Sequence, residues 1–300
     1  MAKRVFYASK VNVHAHIFSQ NLDDIISIHI PRVIKEAPSI KIGSYNWSIT
    51  DVKTISYNND VFIIGNLTKS KQVKLKMRVG ASTEDVTTDF EVARTSMFVY
   101  HSLSEILVHE VSSYIDEVDF INVFERLVGR DPYVGEVKVI TIPEPHKIRT
   151  EMLSMQKISS VHFHLIHPNP GKKEFNIYNS LIDQHDLKEL DLRMANRDGM
   201  NIKEDAEKEN FTETIESGIE LVETGYGAVD IKGFDEHKIK GRRKDKIVRK
   251  QRSFFSKRSV RRIIVNEFGE ETLMSRIRSF INDVRAKIVK DDKDEPNISI

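Results

Sequence analysis

Cysteine is absent from all 300 residues. That excludes disulfides, a thiolate nucleophile and any cysteine-ligated zinc or iron–sulfur centre, and it fits a reducing compartment. Proline and glycine are sparse, at 8 and 13 residues, which excludes collagen-like, mucin-like and wholly disordered chains. No run of about 18 apolar residues occurs, so no membrane-spanning helix is expected. The opening MAKRVFYASKVNVHAHIFSQ has a basic tip but neither a clean apolar region nor a small-residue cleavage site. A secretory signal is therefore not expected, and the expected location is cytoplasmic. Phosphate loops of the GxxxxGK[ST] form, GxGxxG, GxSxG and HExxH are all missing. Nothing marks the chain as an enzyme, and no catalytic residue, cofactor or metal is assigned from the sequence.

What is present is globular: 39% hydrophobic and 30% charged residues. The length is about twice that of a usual domain. Gly129, Pro132, Gly135, Pro143 and Pro145 punctuate the middle of the chain. They suggest a strand-rich mixed domain over 1–145 and an α/β domain over 146–300 that carries a basic segment and a C-terminal helix. The fold class expected is α+β: a strand-rich N-terminal domain, a ferredoxin-like α/β layer and a C-terminal helix.

In the first part, Arg4 to Ile17 reads as one or two strands. Leu22 to Ile34 reads as a short helix that Pro31 bends or ends. Tyr45–Tyr57 and Asp60–Asn66 form a hairpin around Asn58-Asn59. Lys71 to Val79 alternates as a half-buried strand with a basic outer face, and Val92 to Tyr100 is another strand. Ser102 to Val111 has helical spacing and a capping-box pattern at Ser102 and Glu105. Asp119 to Leu127 is a second helix, and Val134 to Pro145 is extended. Further on come a strand at Ser160–Ile166, a helix at Asn176–His185 and a strand at Lys188–Met194. A helix at Glu204–Glu223 ending on Gly225, a strand at Gly227–Phe234 and a last helix from Glu270 to Val289 follow.

Charge is segregated. The formal net charge is +1, yet Lys238 to Arg262 holds 13 Lys or Arg and one acid. The stretch from Lys203 to Glu236 just before it has 11 acids and 3 Lys. Dense cations attract phosphate backbones through counterion release, and arginine offers a bidentate fork. Arg242, Arg243, Lys244, Lys246, Arg249, Lys250, Arg252, Lys257, Arg258, Arg261 and Arg262 are the candidate nucleic-acid contacts. The absence of a base-reading motif suggests phosphate contacts with little sequence preference. Phe254-Phe255 inside the run can stack on bases or pin the segment to the core. Other partners for the block are an acidic protein, an anionic lipid surface or the chain's own acidic stretch. Glu209, Glu213, Glu216, Glu220 and Glu223 recur at helical spacing and repel one another, which a basic partner would relieve.

Two HxH pairs occur, His14/His16 and His162/His164, with His167 near the second. On a strand each pair shares a face. With Val161, Phe163 and Leu165 turned to a core, His162 and His164 are read as facing solvent or a groove rather than holding a metal. Asp183, Asp186, Glu189 and Asp191 are read as surface acids in preference to a Mg²⁺ cluster.

The chain resembles phage-exclusion proteins of the RexA type, in FYA at Phe6–Ala8, in SYNWSITDVKTISYNNDVFIIGNLTKSKQVKLK at Ser44–Lys76, and in SVHFHLI at Ser160–Ile166. A related bacterial defence family of similar size fits the same features. The resemblance implies a cytoplasmic, two-domain homodimer that binds duplex DNA with little sequence preference. It also implies a role as sensor or effector in phage exclusion, acting with a membrane-protein effector while not itself transmembrane. The alternatives to DNA binding are a metal-dependent nuclease acting on DNA or RNA and a scaffold for an acidic protein.

Overall fold

The structure, a computed structural model, describes residues 3–14, 24–57, 60–169, 177–185, 187–203, 210–239, 246–266 and 269–290. The chain opens with β1 (Arg4–His14), a π-helical turn at Ile25–His29 and α1 (Ile30–Glu36), followed by β2 (Ile40–Ile42), β3 (Tyr45–Tyr57) and β4 (Asp60–Lys71). Next are β5 (Lys74–Val79), β6 (Ser82–Thr87), β7 (Val92–His101), β8 (Ile106–Val111), α2 (Glu117–Val128) and β9 (Glu136–Thr141). The second half holds α3 (Lys147–Ser154), β10 (Lys157–Ile166), α4 (Ile177–Gln184), β11 (Glu189–Ala195), α5 (Glu213–Glu223), β12 (Gly227–Ile239) and β13 (Lys246–Phe255). It closes with β14 (Arg262–Val265) and α6 (Glu270–Lys290). The class is α+β, with a strand-rich N-terminal region and a C-terminal helix.

Contacts divide the chain into two compact units. The first holds residues 1–7, 13–139 and 263–283, and the second holds 8–12, 140–262 and 284–300. A single cut at 145 therefore misplaces most of the C-terminal helix. The reason is packing: Leu273 and Met274 of α6 are buried, Arg278 lies over the Tyr57 ring, and Glu270 pairs with Lys53 of β3.

The main sheet runs β14-β1-β8-β7-β4-β3-β2, with β9 also pairing β1. Helix α2 is capped by the Asp116 side chain, which accepts from the Asp119 N–H at 2.8 Å. It buries Phe120, Val123, Phe124, Leu127 and Val128, and Phe98 of β7 meets Phe120 and Phe124 edge-on. The expected hairpin of β3 and β4 forms, pairing from Asn46↔Ser70 to Tyr57↔Asp60 with a register shift between Thr50 and Lys53; its Asn58-Asn59 lies outside the described residues.

Three expectations fail here for physical reasons. Ser102–Val111 is not a helix but a 3₁₀ turn followed by β8. Ile106, Leu107 and Val108 are all fully buried, and a strand covered on both faces places apolar residues side by side, imitating helical spacing. Glu105 takes a positive φ of 56° and ends the turn. Lys74–Val79 is a strand of the expected alternation, but it is not half-buried: it pairs only with β6, and every residue of the two strands is exposed. Helix α3, at Lys147–Ser154 just after the Pro-containing stretch, stands where no helix is expected, with Ile148 and Met152 buried.

The second unit is a four-stranded antiparallel sheet, order β11-β10-β12-β13. Its core joins Val161, Phe163 and Leu165 of β10 and Val229 and Ile231 of β12 to Ile215, Ile219 and Val222 of α5 and Tyr178 of α4. The elements run β-α-β-α-β-β, whereas the ferredoxin-like motif runs β-α-β-β-α-β. Helix α5 lies close enough to the sheet that a Cβ on Gly218 would meet the Phe163 ring at 2.5 Å. It ends in a Schellman cap: Gly225, at φ +90°, donates to the Val222 carbonyl and Tyr226 donates to that of Leu221.

Candidate nucleic-acid interface

The basic block builds the distal part of a β-hairpin. Strand β10 begins at Lys157, opposite Phe234. From Asp235 to Ile239, β12 is paired only with β13, from Asp235↔Lys250 to Ile239↔Lys246. This two-stranded arm is exposed from His237 to Ile239 and from Lys246 to Gln251. The alternation of strand side chains places Lys246 and Lys250 on one face with Val248 and His237, and Lys238 on the other with Ile247. The six residues joining the strands, KGRRKD, add four cations and one acid in sequence.

The predicted contact residues separate into groups. Arg242, Arg243 and Lys244 lie outside the described residues. Lys246, Lys250, Lys257 and Arg262 are exposed, with no ion-pair partner among the described residues. Arg258 is exposed, with its guanidinium over the Phe255 ring at 4.8 Å. Arg261 is half-buried, and its backbone bonds Ala8 and Ile142.

Arg249 and Arg252 are instead tied to residues of their own unit. Arg249 bonds Glu236 at 3.1 Å, Asp198 at 3.2 Å and the Arg197 carbonyl at 3.3 Å, and covers the Phe234 ring. Arg252 bonds the Ser154 carbonyl at 2.7 Å and its hydroxyl at 2.9 Å, with Glu151 and Asp235 within 3.7 Å. These two arginines fasten the base of the arm. Phe254 does the same by packing against the core.

The acidic stretch divides as well. Glu209 lies outside the described residues. Asp235 and Glu236 meet the arm's arginines, whereas Glu216 of α5 pairs with Arg149 of α3 and accepts from the Phe211 N–H.

On the sheet face opposite the helices, side chains from three adjacent strands converge. The centroids of the His162 and His164 rings are 3.9 Å apart. Register puts His164 opposite Asp191 of β11, and His162 opposite both Arg193 of β11 and Asp230 of β12. Asp191 Oδ1 is 2.5 Å from His164 Nδ1 and 3.7 Å from His162 Nε2. His164 Nε2 is 3.8 Å from Asp230 Oδ2. His162 and His164 face away from the core, as the spacing implies, but toward carboxylates rather than open solvent. His167 instead contacts the Pro168 carbonyl. Of the other pair, His14 is buried and His16 lies outside the described residues. Of the four acids in the 183–191 segment, Asp191 joins the histidines. Asp186 and the Asp183 side chain lie outside the described residues.

The sequence model of a family described as a domain of unknown function, DUF4747, matches residues 4–268. The chain belongs to the DUF4747 family. A search of curated proteins finds no match to it. The DUF4747 match spans both units, and with them the arm and the histidine cluster. No described helix of this DUF4747 chain is long and apolar enough to cross a membrane. Sequence reasoning missed Asp230 because it sits 39 positions from Asp191 and only strand order makes them neighbours of one histidine. The alternation of β12 places it on the exposed face, but no spacing rule links it to β10.

Proposed function

We propose that this protein binds duplex DNA with little sequence preference, through the β12–β13 arm. The observation carrying the reading is a two-stranded ribbon that outruns its own sheet and presents Lys238, Lys246 and Lys250 to solvent. A β-ribbon fits the major groove of B-form DNA, whereas the deep, narrow groove of A-form RNA does not admit it. The arginines at the arm's base are spent on holding it, which leaves lysine point charges and the KGRRKD connection to meet phosphates. Lysines that neutralise phosphates without touching base edges give affinity and little sequence preference. The resemblance to RexA-type proteins supplies a setting for that activity: sensing or effecting phage exclusion as a homodimer, with a membrane-protein partner.

The test is fluorescence anisotropy of labelled duplex DNA and of single-stranded RNA with the full chain, at three salt concentrations and without divalent metal. Binding to duplex DNA that weakens steeply with salt is the expected result. No binding at the lowest salt overturns the proposal. A protein complex that survives nuclease treatment would then favour the scaffold reading. Cleavage that needs a divalent metal would move the assignment to a nuclease.

A further inference from the structure

We infer that His162, His164 and Asp191 form a binding site for a divalent transition metal of the zinc class, with Asp230 orienting His164. The inference stands apart from DNA binding: the ligands lie on β10 and β11 and not on the β12–β13 arm. The three side chains offer donor atoms within 4.8 Å of one another. A tetrahedral zinc with bonds of about 2.0–2.2 Å holds its donors roughly 3.4 Å apart. The 3.7 Å from His162 Nε2 to Asp191 Oδ1 already approaches that spacing. The side chains are 31%, 38% and 66% exposed, so small rotations can complete the closure.

Three features separate the cluster from a pair of surface hydrogen bonds. Asp191 Oδ1 faces both imidazoles at once. The two imidazole rings lie with their centroids 3.9 Å apart on one face of β10, so a single cation can be shared between them. Neither Asp191 nor Asp230 has a Lys or Arg ion-pair partner among the described residues. The fourth member fits as well. With His164 Nδ1 turned to the metal, its Nε2–H faces Asp230 Oδ2 at 3.8 Å, a small side-chain rotation short of the carboxylate–histidine–metal arrangement that fixes a ligand's tautomer. Two nitrogens and one carboxylate oxygen suit zinc, iron or cobalt rather than magnesium or calcium. Three protein ligands leave a position open for water or substrate, the pattern of a catalytic rather than a structural centre. The ligands sit on two paired strands, β10 and β11, and Asp230 on a third, β12, so the site is set by register and not by a loop.

The test is titration of metal-stripped full-length protein with Zn²⁺ by calorimetry, and with Co²⁺ by visible absorption. The expected result is one ion per chain, with the absorption of a cobalt centre of low coordination number. His164→Gln and Asp191→Asn should each weaken binding at least 10-fold, and Asp230→Asn about 10-fold. His237→Gln, on the arm, should change nothing. Excess Mg²⁺ should not compete. The site is refuted if the parent protein takes up no Zn²⁺, or if the His164 and Asp191 variants, folded by circular dichroism, bind it like the parent.

Discussion

Removing Lys246 and Lys250 together tests the arm most directly. Both are exposed and without an ion-pair partner among the described residues, so the double alanine variant should keep its stability to within about 0.5 kcal/mol. If each lysine neutralises one phosphate, the plot of log K against log salt should become shallower by about 1.8, since each neutralised phosphate contributes about 0.9 to the slope. Between about 50 and about 200 mM salt, the variant's affinity should then fall roughly 12-fold less than the parent's. The paired arginines supply the contrast. Arg252→Gln breaks bonds to Ser154 and a charge contact to Glu151. Because Arg252 is part-exposed, it should lower stability by only about 1 kcal/mol and leave the slope nearly unchanged. The assay is duplex-DNA anisotropy across a salt series, with urea unfolding of each variant alongside. An unchanged slope in the folded double variant, or a larger slope change in Arg252→Gln than in the lysine pair, refutes the assignment of the arm as the DNA contact.

Three further outcomes follow from the interior. His109 is fully buried, stacks on Phe120 at 4.3 Å and has no hydrogen bond on either ring nitrogen, and burial pushes its pKa down to about 3. Its folded pKa lies below the ordinary 6.5, so the stability it permits is complete above pH 6.5. That stability is lost, by up to about 1.4 kcal/mol per pH unit, as pH falls from there toward 3; His109→Phe should flatten this slope in urea midpoints measured at neutral pH and at pH 5. Gly218→Ala should lower stability by roughly 1–2 kcal/mol although alanine favours helix, because its Cβ would meet the Phe163 ring; a higher thermal midpoint would contradict that packing. Glu125 accepts from the Val139 N–H at 2.7 Å, and burial raises its pKa, so Glu125→Ala should cost about 1–3 kcal/mol while Glu125→Gln, which keeps an acceptor, costs less, as read from chemical denaturation.

What the sequence made legible follows the periodicities that local physics imposes. Strand β10 was readable because Val161, Phe163 and Leu165 alternate with His162 and His164, and one face meets the helices. Of the helix expected at Glu204–Glu223, the part from Glu213 was readable because Ile215, Ile219 and Val222 form a stripe and Gly225 stops it, whereas Phe211, expected in that stripe, bridges Lys203 ahead of the helix. Strand β8 was not, because a strand buried on both faces has no alternation to read. The candidate sites divide along the same line. A block of 13 cations is a property of the chain, visible without any structure. Which of those cations are available is a property of strand register. Arg249 and Arg252 looked identical to Lys246 and Lys250 in sequence. They differ because Gly233↔Arg252 and Glu236↔Arg249 lie near the root of the hairpin, within reach of Ser154, Glu151 and Asp198, and Ile239↔Lys246 lies at its far end. The histidine cluster is more extreme. His162 and His164 announce a shared face, but their carboxylates come from β11 and β12, the two strands that flank β10 in the sheet. An α/β layer that buries one face has to expose the other, so any polar constellation it assembles there is written in pairing order rather than in spacing.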